Sequence, residues 1–278
     1  MSTARTTETL RLRVDPGHPF LFDHELDHIP GLFLVDAVVK AAEQLPAATA
    51  LGQEAPYVHS LNLDFPRFGL LDEDVHLRSE AEGGEGRHLT VRVTQGRRVI
   101  CAGRATRIPC TPCIDAPPAI RSPAAPPGTL PRAPAALVHR RHMENIAVGP
   151  LYERDGVHRC RYLTLPTSAL GVEQHRRTHA LQELVEAGRE FVTMMSHVIA
   201  GVGFEDTLVL QGVDATVSRP LDRSEEIDLH SRGPRLLGRR MFSDVDLVSA
   251  GARVGSLRFR SLVLPPDLYR VLRGPDRS

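Results

Sequence analysis

The chain alternates between segments with a helical repeat of apolar residues and segments with a strand repeat. Apolar residues at helical spacing over residues 31–45 and 178–199 predict two amphipathic helices. Shorter apolar runs, separated by turn-like clusters such as EGGEG, predict strands around both helices. In the first half these are TLRLRV before the helix, and YVHSLNLDF, DVHLRSEA, HLTVRVTQ and RVICAGRATRI after it. In the second half they are NIAVGP and HRCRYLTL before the helix, and TLVLQGVDATVS, IDLHSR, LLGRRMFSDVDL and RVGSLRFRSLVL after it.

The two halves share one order of elements, a helix followed by an antiparallel meander, which indicates a duplicated α+β unit. Residues 108–136 between them are rich in Pro and Ala and predict a stiff, extended linker. We therefore expect a first domain at residues 1–107 and a second at residues 137–278. Each sheet should wrap its own helix, and the two units should form an internal pseudo-dimer whose sheets meet edge to edge.

Composition narrows the possible functions. The chain has 34 basic and 34 acidic residues, so no global field favours nucleic acid or an anionic membrane. It lacks a run of membrane-spanning length and a signal peptide's apolar core, so we expect a cytoplasmic protein without a membrane partner. Cys110 and Cys113 have the spacing of half a zinc site, but no second pair completes it, so we expect no metal. No GxGxxG turn, phosphate-binding loop or GxSxG elbow occurs, so hydride transfer and phosphoryl transfer rank low and we expect no cofactor.

The approach to the first helix is dense in His and Asp and ends at Pro30 and Gly31. Such a start leaves free backbone N–H groups at the positive end of the helix, where a thioester carbonyl or a developing oxyanion could bind. Asp36 lies a little over one turn further on among apolar residues, so burial should raise its pKa and suit a general acid or base. His24 and His28 precede it. Alternatively, Asp36 only favours the helix dipole and the histidines lie in a solvated loop.

The second helix combines an apolar stripe with a polar arc. The stripe contains Leu181, Leu184, Val185, Gly188, Val192, Met195 and Ile199. The arc contains Glu183, Glu186, Glu190, Thr193 and His197. Such an arc is either a solvated face or the wall of an active site. A helix wrapped by its own sheet has little surface exposed to solvent, so we favour the second interpretation. Arg189 beside Glu186 could keep that acid ionised or hold a substrate phosphate.

These motifs resemble the A-factor synthase family of γ-butyrolactone signal biosynthesis, which has the hotdog fold. The run LRLRVDPGHPFLFDHELDHIPGLFLVDAVVKAA resembles the family's carboxyl-terminal half. The second half of the chain resembles the family's amino-terminal half through LVHRRHMENI, the approach from His175 and His179 into LVEAGRE, and LPPDLYRVLRG. The resemblance implies a double hotdog with its two halves in the opposite order, an exchange that complete units tolerate.

The resemblance also implies an activity. Family members are thought to transfer a β-ketoacyl group from an acyl carrier protein to the hydroxyl of dihydroxyacetone phosphate, and the ester then closes toward a butenolide. Glu186 matches an acid thought to be essential, and Arg189 matches the arginine that follows it. Asp36 replaces the glutamate of the other helix, while Val39 and Lys40 replace an arginine and a glutamine of that motif. The lost guanidinium implies weaker binding of a phosphate-bearing acceptor.

We therefore predict a double-hotdog enzyme of specialised metabolism that acts on acyl thioesters. Glu186 would be the general base, helix N-terminal N–H groups would hold the oxyanion, and His24, His28 and Asp36 would line the second, pseudo-symmetric site. Further substrate-binding residues would be Gly31, Lys40, His175, His179, Arg189 and Glu190. The expected partners are the thioester of an acyl carrier protein or of coenzyme A, and a small hydroxylated acceptor. The chain itself would be a monomeric pseudo-dimer or a homodimer.

Two alternatives remain open from the sequence. A dehydratase, hydratase or thioesterase of the same fold fits HELDHIPGLFLVD, in which a His-containing loop, Pro-Gly and a helical acid follow one another. A non-catalytic module that binds an acyl chain or a lactone fits the loss of the family's arginine at Val39. Turnover of a thioester, with or without an acceptor alcohol, distinguishes these possibilities.

Overall fold

The computed structural model describes residues 7–45, 55–82, 87–110, 130–165, 169–170 and 177–273. The first unit contains β1 Thr7–Leu12, α1 Gly31–Gln44, β2 Ala55–Asp64, β3 Val75–Glu82, β4 His88–Gln95 and β5 Arg98–Cys110. The second begins with two short 3-10 helices, Ala135–Val138 and Met143–Asn145. It continues with β6 Tyr152–Arg154, β7 Val157–Arg161, α2 Leu181–Val198, β8 Thr207–Val217, β9 Ile227–Ser231, β10 Arg235–Leu237, β11 Arg240–Ser249, β12 Ala252–Leu264 and α3 Pro266–Arg273.

The strands form one antiparallel sheet that runs through both units. Its order is β1-β3-β4-β5-β2-β8-β12-β11-β9-β7-β6, with β10 paired to β11. The strand orders β1-β3-β4-β5-β2 and β7-β9-β11-β12-β8 correspond, so the duplication predicted from the sequence is confirmed in the topology. The units join where β2 pairs with β8, from Ser60 opposite Thr216 to Asp64 opposite Gly212. The two sheets therefore meet edge to edge, as predicted.

The two long helices pack side by side on the concave side of this sheet. α1 contacts α2 and four strands of its own unit, so apolar residues surround it and Val35, Val38 and Val39 have no exposed surface. α2 is buried along almost its whole length, including the three glutamates of its polar arc. The arc is therefore not a solvated face, and its charges must be neutralised inside the protein.

Several sequence expectations need correction. The predicted strand NIAVGP starts at Asn145, the last residue of a 3-10 helix, and forms only a single bridge, from Val148 to Tyr162. Side chains take its backbone groups: Glu190 accepts from the Ala147 N–H, and Arg132 donates to the Ile146 carbonyl. Residues 108–110 of the predicted linker belong to β5. Residues 111–129, which include Cys113, lie outside the described residues. The division into domains otherwise stays a prediction.

Two elements were not anticipated by the sequence reasoning. The strand β6, which pairs with the predicted strand β7, has three residues, all of them exposed, and this leaves no hydrophobic periodicity to detect. The helix α3 follows Pro265 and has no buried residue. No helix among the described residues is long and apolar enough to cross a membrane.

Gly188 allows α2 to approach β12 closely, and this contact can be tested. A Cβ at this position would lie 2.3 Å from Leu257 Cδ1 and 3.0 Å from Phe259 Cζ. We expect Gly188→Ala to lower the free energy of unfolding by about 1–3 kcal/mol, because overpacking outweighs the gain of about 1 kcal/mol in helix propensity. Urea unfolding measures the change. Adding Leu257→Ala should make the Gly188→Ala penalty smaller, and strictly additive effects of the two substitutions would contradict the predicted clash.

Candidate active site

A cavity of about 920 Å³ opens between the two units, beside the start of α1. Its first-unit wall consists of the loop before α1 and the loop after β2, residues 20–21, 24–32 and 65–70. Its second-unit wall consists of residues 139–140, 204–211 and two side chains of α2, Glu186 and Arg189. The lining also includes Leu34, Arg98, Leu262 and three residues of α3, Tyr269, Leu272 and Arg273. The cavity therefore exists only because the two units pack together.

Glu186 lies at the polar end of this cavity between two arginines. Arg189 donates from Nε to Glu186 Oε2 at 2.9 Å and from Nη2 to Oε1 at 2.6 Å. Arg140 donates from Nη2 to Glu186 Oε1 at 2.5 Å. Burial alone would raise the pKa of Glu186, but the charges and hydrogen bonds of Arg189 and Arg140 outweigh it and lower the pKa. The carboxylate is thus stably ionised, which makes it a weaker base than an isolated buried glutamate.

Arg140 links the helix α2 to the first unit. Its Nε donates to Glu190 Oε1 at 2.9 Å, and its Nη1 donates to the Phe20 carbonyl at 2.7 Å. The guanidinium also lies 4.3 Å from the centre of the Phe20 ring. Glu190 accepts from the Ala147 N–H through its other oxygen, at 2.6 Å. Burial and the charge of Glu186 raise the pKa of Glu190. Sequence reasoning missed Arg140, which lies far from α2 along the chain within the motif LVHRRHMENI.

His24 and His28 lie at this same cavity, not at a second site with Asp36 as we predicted. Burial and the charge of Arg189 lower the pKa of His24, so it is neutral beside the arginines. His28 is held by Asp27, with 2.7 Å between its Nδ1 and Asp27 Oδ1. Burial lowers the pKa of His28 although Asp27 opposes the shift. The physical reason for the correction is that the loop before α1 packs against the helix of the other unit.

Asp27 also ties α3 to the rim of the cavity. It accepts from Tyr269 Oη at 2.7 Å and from Arg273 Nε at 2.9 Å. Burial would raise its pKa, but these hydrogen bonds and that of His28 lower it to about 2. The aspartate is therefore a fixed anion that positions His28 and the helix α3 together.

The start of α1 faces the cavity as the sequence predicts. Pro30 precedes the helix and provides no side-chain cap, and the first turn contains no acidic residue. Gly31 lines the cavity, and a Cβ there would lie 2.9 Å from Leu210 Cδ2. The positive end of the helix dipole is therefore not neutralised by its own first turn. This end can accept the partial negative charge of a carbonyl oxygen.

Asp36 lies on the side of α1 that meets the first turn of α2. Its Oδ2 is 2.7 Å from Lys40 Nζ, and its Oδ1 accepts from Gln182 Nε2 at 3.3 Å. Burial raises the pKa of Asp36, against the opposing charge of Lys40. Lys40 also donates to the Leu170 carbonyl at 2.7 Å. Asp36 and Lys40 therefore neutralise each other, and Asp36 also accepts a hydrogen bond from α2. Neither residue lines the cavity described above.

Two other predicted substrate-binding residues, Glu190 and His179, are not part of the cavity wall. Glu190 is fully buried behind Arg140. His179 is fully buried, with Nδ1 3.4 Å from Tyr162 Oη, and its carbonyl accepts from Tyr57 Oη at 3.0 Å. His175 lies outside the described residues. Contact of Glu190, His179 or Lys40 with a substrate stays a prediction that this cavity does not support.

The first unit is similar to a known domain family. Residues 1–111 match the family model of the A-factor biosynthesis hotdog domain. The match covers less than half of the chain, so it shows similarity to this domain in the first unit. The resemblance seen in the sequence is therefore confirmed for the first unit, while the exchanged order of the two halves stays a prediction. Among the described residues, no group of three His, Cys, Asp or Glu side chains could hold a metal ion.

Two curated relatives contain a segment similar to part of this chain. Both are named 2-oxo-3-(phosphooxy)propyl 3-oxoalkanoate synthase. The protein of Streptomyces virginiae is 34% identical over 89 residues, which are 30% of this chain and 27% of the relative. The protein of Streptomyces coelicolor is 34% identical over 96 residues, which are 34% of this chain and 29% of the relative. The similar segment thus spans less than a third of either relative.

Solved structures resemble the whole chain rather than one unit. The dehydratase domain of PpsC from Mycobacterium tuberculosis aligns with a TM-score of 0.60 and 15% identity, and covers 94% of both chains. The dehydratase domain of the CurJ module of curacin polyketide synthase gives 0.59 and 13%, over 95% of this chain and 93% of that one. The acyl-CoA thioesterase TesB2 of Mycobacterium marinum gives 0.52 and 17%, over 86% and 90%. The predicted double hotdog fold is confirmed.

The cluster around Arg140 generates a test of stability. We expect Arg140→Leu to lower the free energy of unfolding by about 3–5 kcal/mol at neutral pH, because it removes the guanidinium that binds buried Glu190 and leaves Glu186 with Arg189 alone. The lowered pKa of Glu186 contributes stability above the pKa of unfolded glutamate, and the wild type loses this contribution as the pH falls. Without the guanidinium both carboxyl pKa values rise, so the variant should instead regain stability as the pH falls from about 8 to about 5.

Urea unfolding at a series of pH values measures both effects. Arg141→Leu is the matched control, because Arg141 is exposed and should change stability by less than about 0.5 kcal/mol. Adding Glu190→Gln to Arg140→Leu should restore part of the loss. An Arg140→Leu variant as stable as the Arg141→Leu control would contradict the proposed role of the cluster.

Proposed function

We propose that the chain is an acyl-thioester enzyme that transfers a β-ketoacyl group from a carrier protein to a small hydroxylated acceptor such as dihydroxyacetone phosphate. The observation that carries the proposal is the cavity, in which an uncapped helix start, a paired arginine and apolar walls face one space. The name of the two curated relatives, 2-oxo-3-(phosphooxy)propyl 3-oxoalkanoate synthase, supports the choice of a phosphorylated acceptor and a 3-oxoalkanoyl group.

The apolar part of the cavity fits the acyl chain. Its walls include Phe65, Phe68, Leu208, Leu210 and Leu262. A volume of about 920 Å³ lies in the upper range of small-molecule sites, which is enough for a flexible chain together with a polar head group. Apolar walls also exclude water, so charge stabilisation at the polar end is stronger than it would be in solvent.

The polar end fits the reacting carbonyl and the acceptor. The thioester oxygen would accept from backbone N–H groups at the start of α1, near Gly31, where the helix dipole stabilises the tetrahedral oxyanion. Arg189 uses two of its five N–H donors on Glu186, and the others are available for a phosphate. In this proposal Glu186 orients Arg189, instead of acting as the general base that the sequence suggested, because hydrogen bonds from two arginines already occupy both of its oxygens.

A dehydratase or hydratase is the second candidate, favoured by one specific observation. His24 of the first unit and Glu186 of the second line the same cavity, so a histidine and an acid from facing units meet there. Such a pair can move protons on a hydroxyacyl or enoyl thioester without any acceptor. Because Glu186 is held ionised by two arginines, it is the less suitable proton donor of the two, and we rank acyl transfer first.

The first test is an end-point mass-spectrometric assay with a β-ketoacyl thioester surrogate, with dihydroxyacetone phosphate present or absent. We expect a phosphorylated ester or butenolide only when the acceptor is present. Glu186→Gln should reduce product formation by about 10²-fold or more, because Arg189 loses its charged anchor. Glu153→Gln, whose side chain is 61% exposed on β6, should leave the rate unchanged. Equal thioester consumption without the acceptor would favour hydrolysis or dehydration, and no consumption would favour a binding role.

Arg189 provides a test of acceptor recognition. We expect Arg189→Met to raise the KM for dihydroxyacetone phosphate about tenfold or more, since a charge-assisted hydrogen bond contributes about 1.5–3 kcal/mol. The KM for unphosphorylated dihydroxyacetone should change much less. Steady-state kinetics with both acceptors measures the difference. Equal effects on the two acceptors would show that Arg189 does not bind the phosphate.

A further inference from the structure

Two histidines that sequence reasoning left without a role form a hydrogen-bonded pair beside the cavity. His139 follows the first 3-10 helix and lines the cavity, and His197 lies in the last turn of α2. Their Nε2 atoms are 2.8 Å apart. The ring of His197 stacks on Phe204, with 4.5 Å between ring centres and an interplanar angle of 17°. The pair is therefore held by packing as well as by the hydrogen bond.

The hydrogen bonds fix which nitrogen of each neutral ring carries its proton. His197 Nδ1 lies 2.8 Å from the Val202 carbonyl oxygen, which can only accept, so Nδ1 is the donor. The Nε2 of neutral His197 then carries a lone pair, and His139 Nε2 must donate to it. The remaining nitrogen of His139, Nδ1, therefore has the free lone pair. A histidine that lines a cavity with an unprotonated nitrogen can accept a proton from a bound ligand.

The backbone of His139 supports a functional role. The residue has φ 55° and ψ 48°, the left-handed conformation that non-glycine residues adopt at a cost. Its N–H bonds the Ala136 carbonyl, and the adjacent Arg140 is fixed by Glu186 and Glu190. The strained backbone and the arginine cluster together hold the imidazole against the polar end of the cavity.

We propose that His139 is a catalytic residue of the acyl transfer, and that His197 is the positioning residue that fixes its tautomer; this inference rests on the proposed function. The acceptor hydroxyl attacks the thioester carbonyl, and its proton moves to His139 Nδ1 as the C–O bond forms. When the tetrahedral intermediate collapses, the C–S bond breaks and the same proton passes to the thiolate sulfur. The products are an ester and a free thiol, and His139 returns to its neutral form, so no other reactant is required.

The charges around His139 agree with this role. Burial and the charge of Arg189, together with the charges that His197 on α2 and His24 on the loop before α1 gain once protonated, lower the pKa of His139 to about 4. The lone pair is therefore free at neutral pH. A group of low pKa accepts the proton only once the attacking oxygen has become acidic, and then returns it readily to the departing sulfur.

The first experiment compares His139→Gln with His142→Gln in the assay with acceptor present. His142 is the matched control, because it lies in the same segment with a side chain 54% exposed to solvent. We expect kcat to fall about 10²–10⁴-fold in His139→Gln with little change in KM, and not to change in His142→Gln. Thermal unfolding shows whether each variant is folded. If the wild type turns over and folded His139→Gln keeps its rate, the inference is wrong while the proposed function stands. If the wild type does not turn over, the proposed function itself fails.

His197→Phe tests the positioning role, because phenylalanine keeps the stacking on Phe204 and removes both hydrogen bonds. We expect kcat to fall about tenfold with KM unchanged. In the acid range a protonated His197 disfavours a second proton on His139. Its removal should therefore raise the pKa of His139 and move the acidic limb of the kcat profile to higher pH. Arg189 and His24 are unchanged in this variant, so their effect on the pKa of His139 is the same as in the wild type. A purely structural role for His197 would not move this limb, and an unmoved limb overturns the assignment.

Nitrogen NMR of histidine-labelled protein tests the tautomers without any substrate. At neutral pH we expect one neutral imidazole with its proton on Nε2 that disappears from the spectrum of His139→Gln. We also expect one ring protonated on Nδ1 that disappears in His197→Phe. A charged His139, or one protonated on Nδ1, would overturn the proposal whatever the activity assay shows.

Discussion

The buried carboxylates of α2 are the constraint on which the arrangement of the site depends. Glu186 and Glu190 lie on a helix that the sheet and α1 enclose, so solvent cannot neutralise them. Arg140, which neutralises them, belongs to a segment outside the sheet. That segment must pass over α2 to bring the guanidinium to both carboxylates. The crossing places His139 at the cavity and brings Asn145 to Asp23, to which it donates at 2.6 Å. The loop before α1 is thereby held over the second unit, and the cavity is enclosed.

A buried ion cluster of this kind is costly to form, and similar clusters in other proteins have been replaced by apolar residues without loss of stability. Its value here lies in orientation. The guanidinium of Arg140 contacts both glutamates and the Phe20 carbonyl, so one side chain fixes the angle between the helix of one unit and the loop of the other. An apolar replacement would fill the space without defining that geometry. The cluster also leaves Arg189 rigid, because Glu186 holds two of its donors.

The sequence predicted the elements well where periodicity was strong. The pattern over residues 31–45 gave α1 to within a residue, and HLTVRVTQ coincides with β4, because a helix or strand with one buried face carries its own signal. The site was predicted in parts. Glu186, Arg189 and Gly31 were identified, but His24 was assigned to the site of Asp36 because sequence neighbours were assumed to be spatial neighbours. In a pseudo-dimer the loop of one unit contacts the helix of the other. This contact depends on the tertiary structure and does not follow from the order of residues in the sequence. Arg140 and His139 were missed for the same reason, since they reach α2 only through the path of an irregular segment.

Fusion of two units in one chain explains why the two pseudo-symmetric positions differ. In a symmetric homodimer every residue occurs at both positions, so a change that suits one also alters the other. Here α2 carries the Glu186, Arg189 and Glu190 set, whereas α1 carries Asp36 with Lys40 and a fully buried Val39. Val39 fills the core at the position where the resemblance implies an arginine, and Lys40 turns to Asp36 and the Leu170 carbonyl. The Asp36 position has thus become part of the packing between the helices, while the α2 position supplies Glu186 and Arg189 to the cavity that the start of α1 also lines.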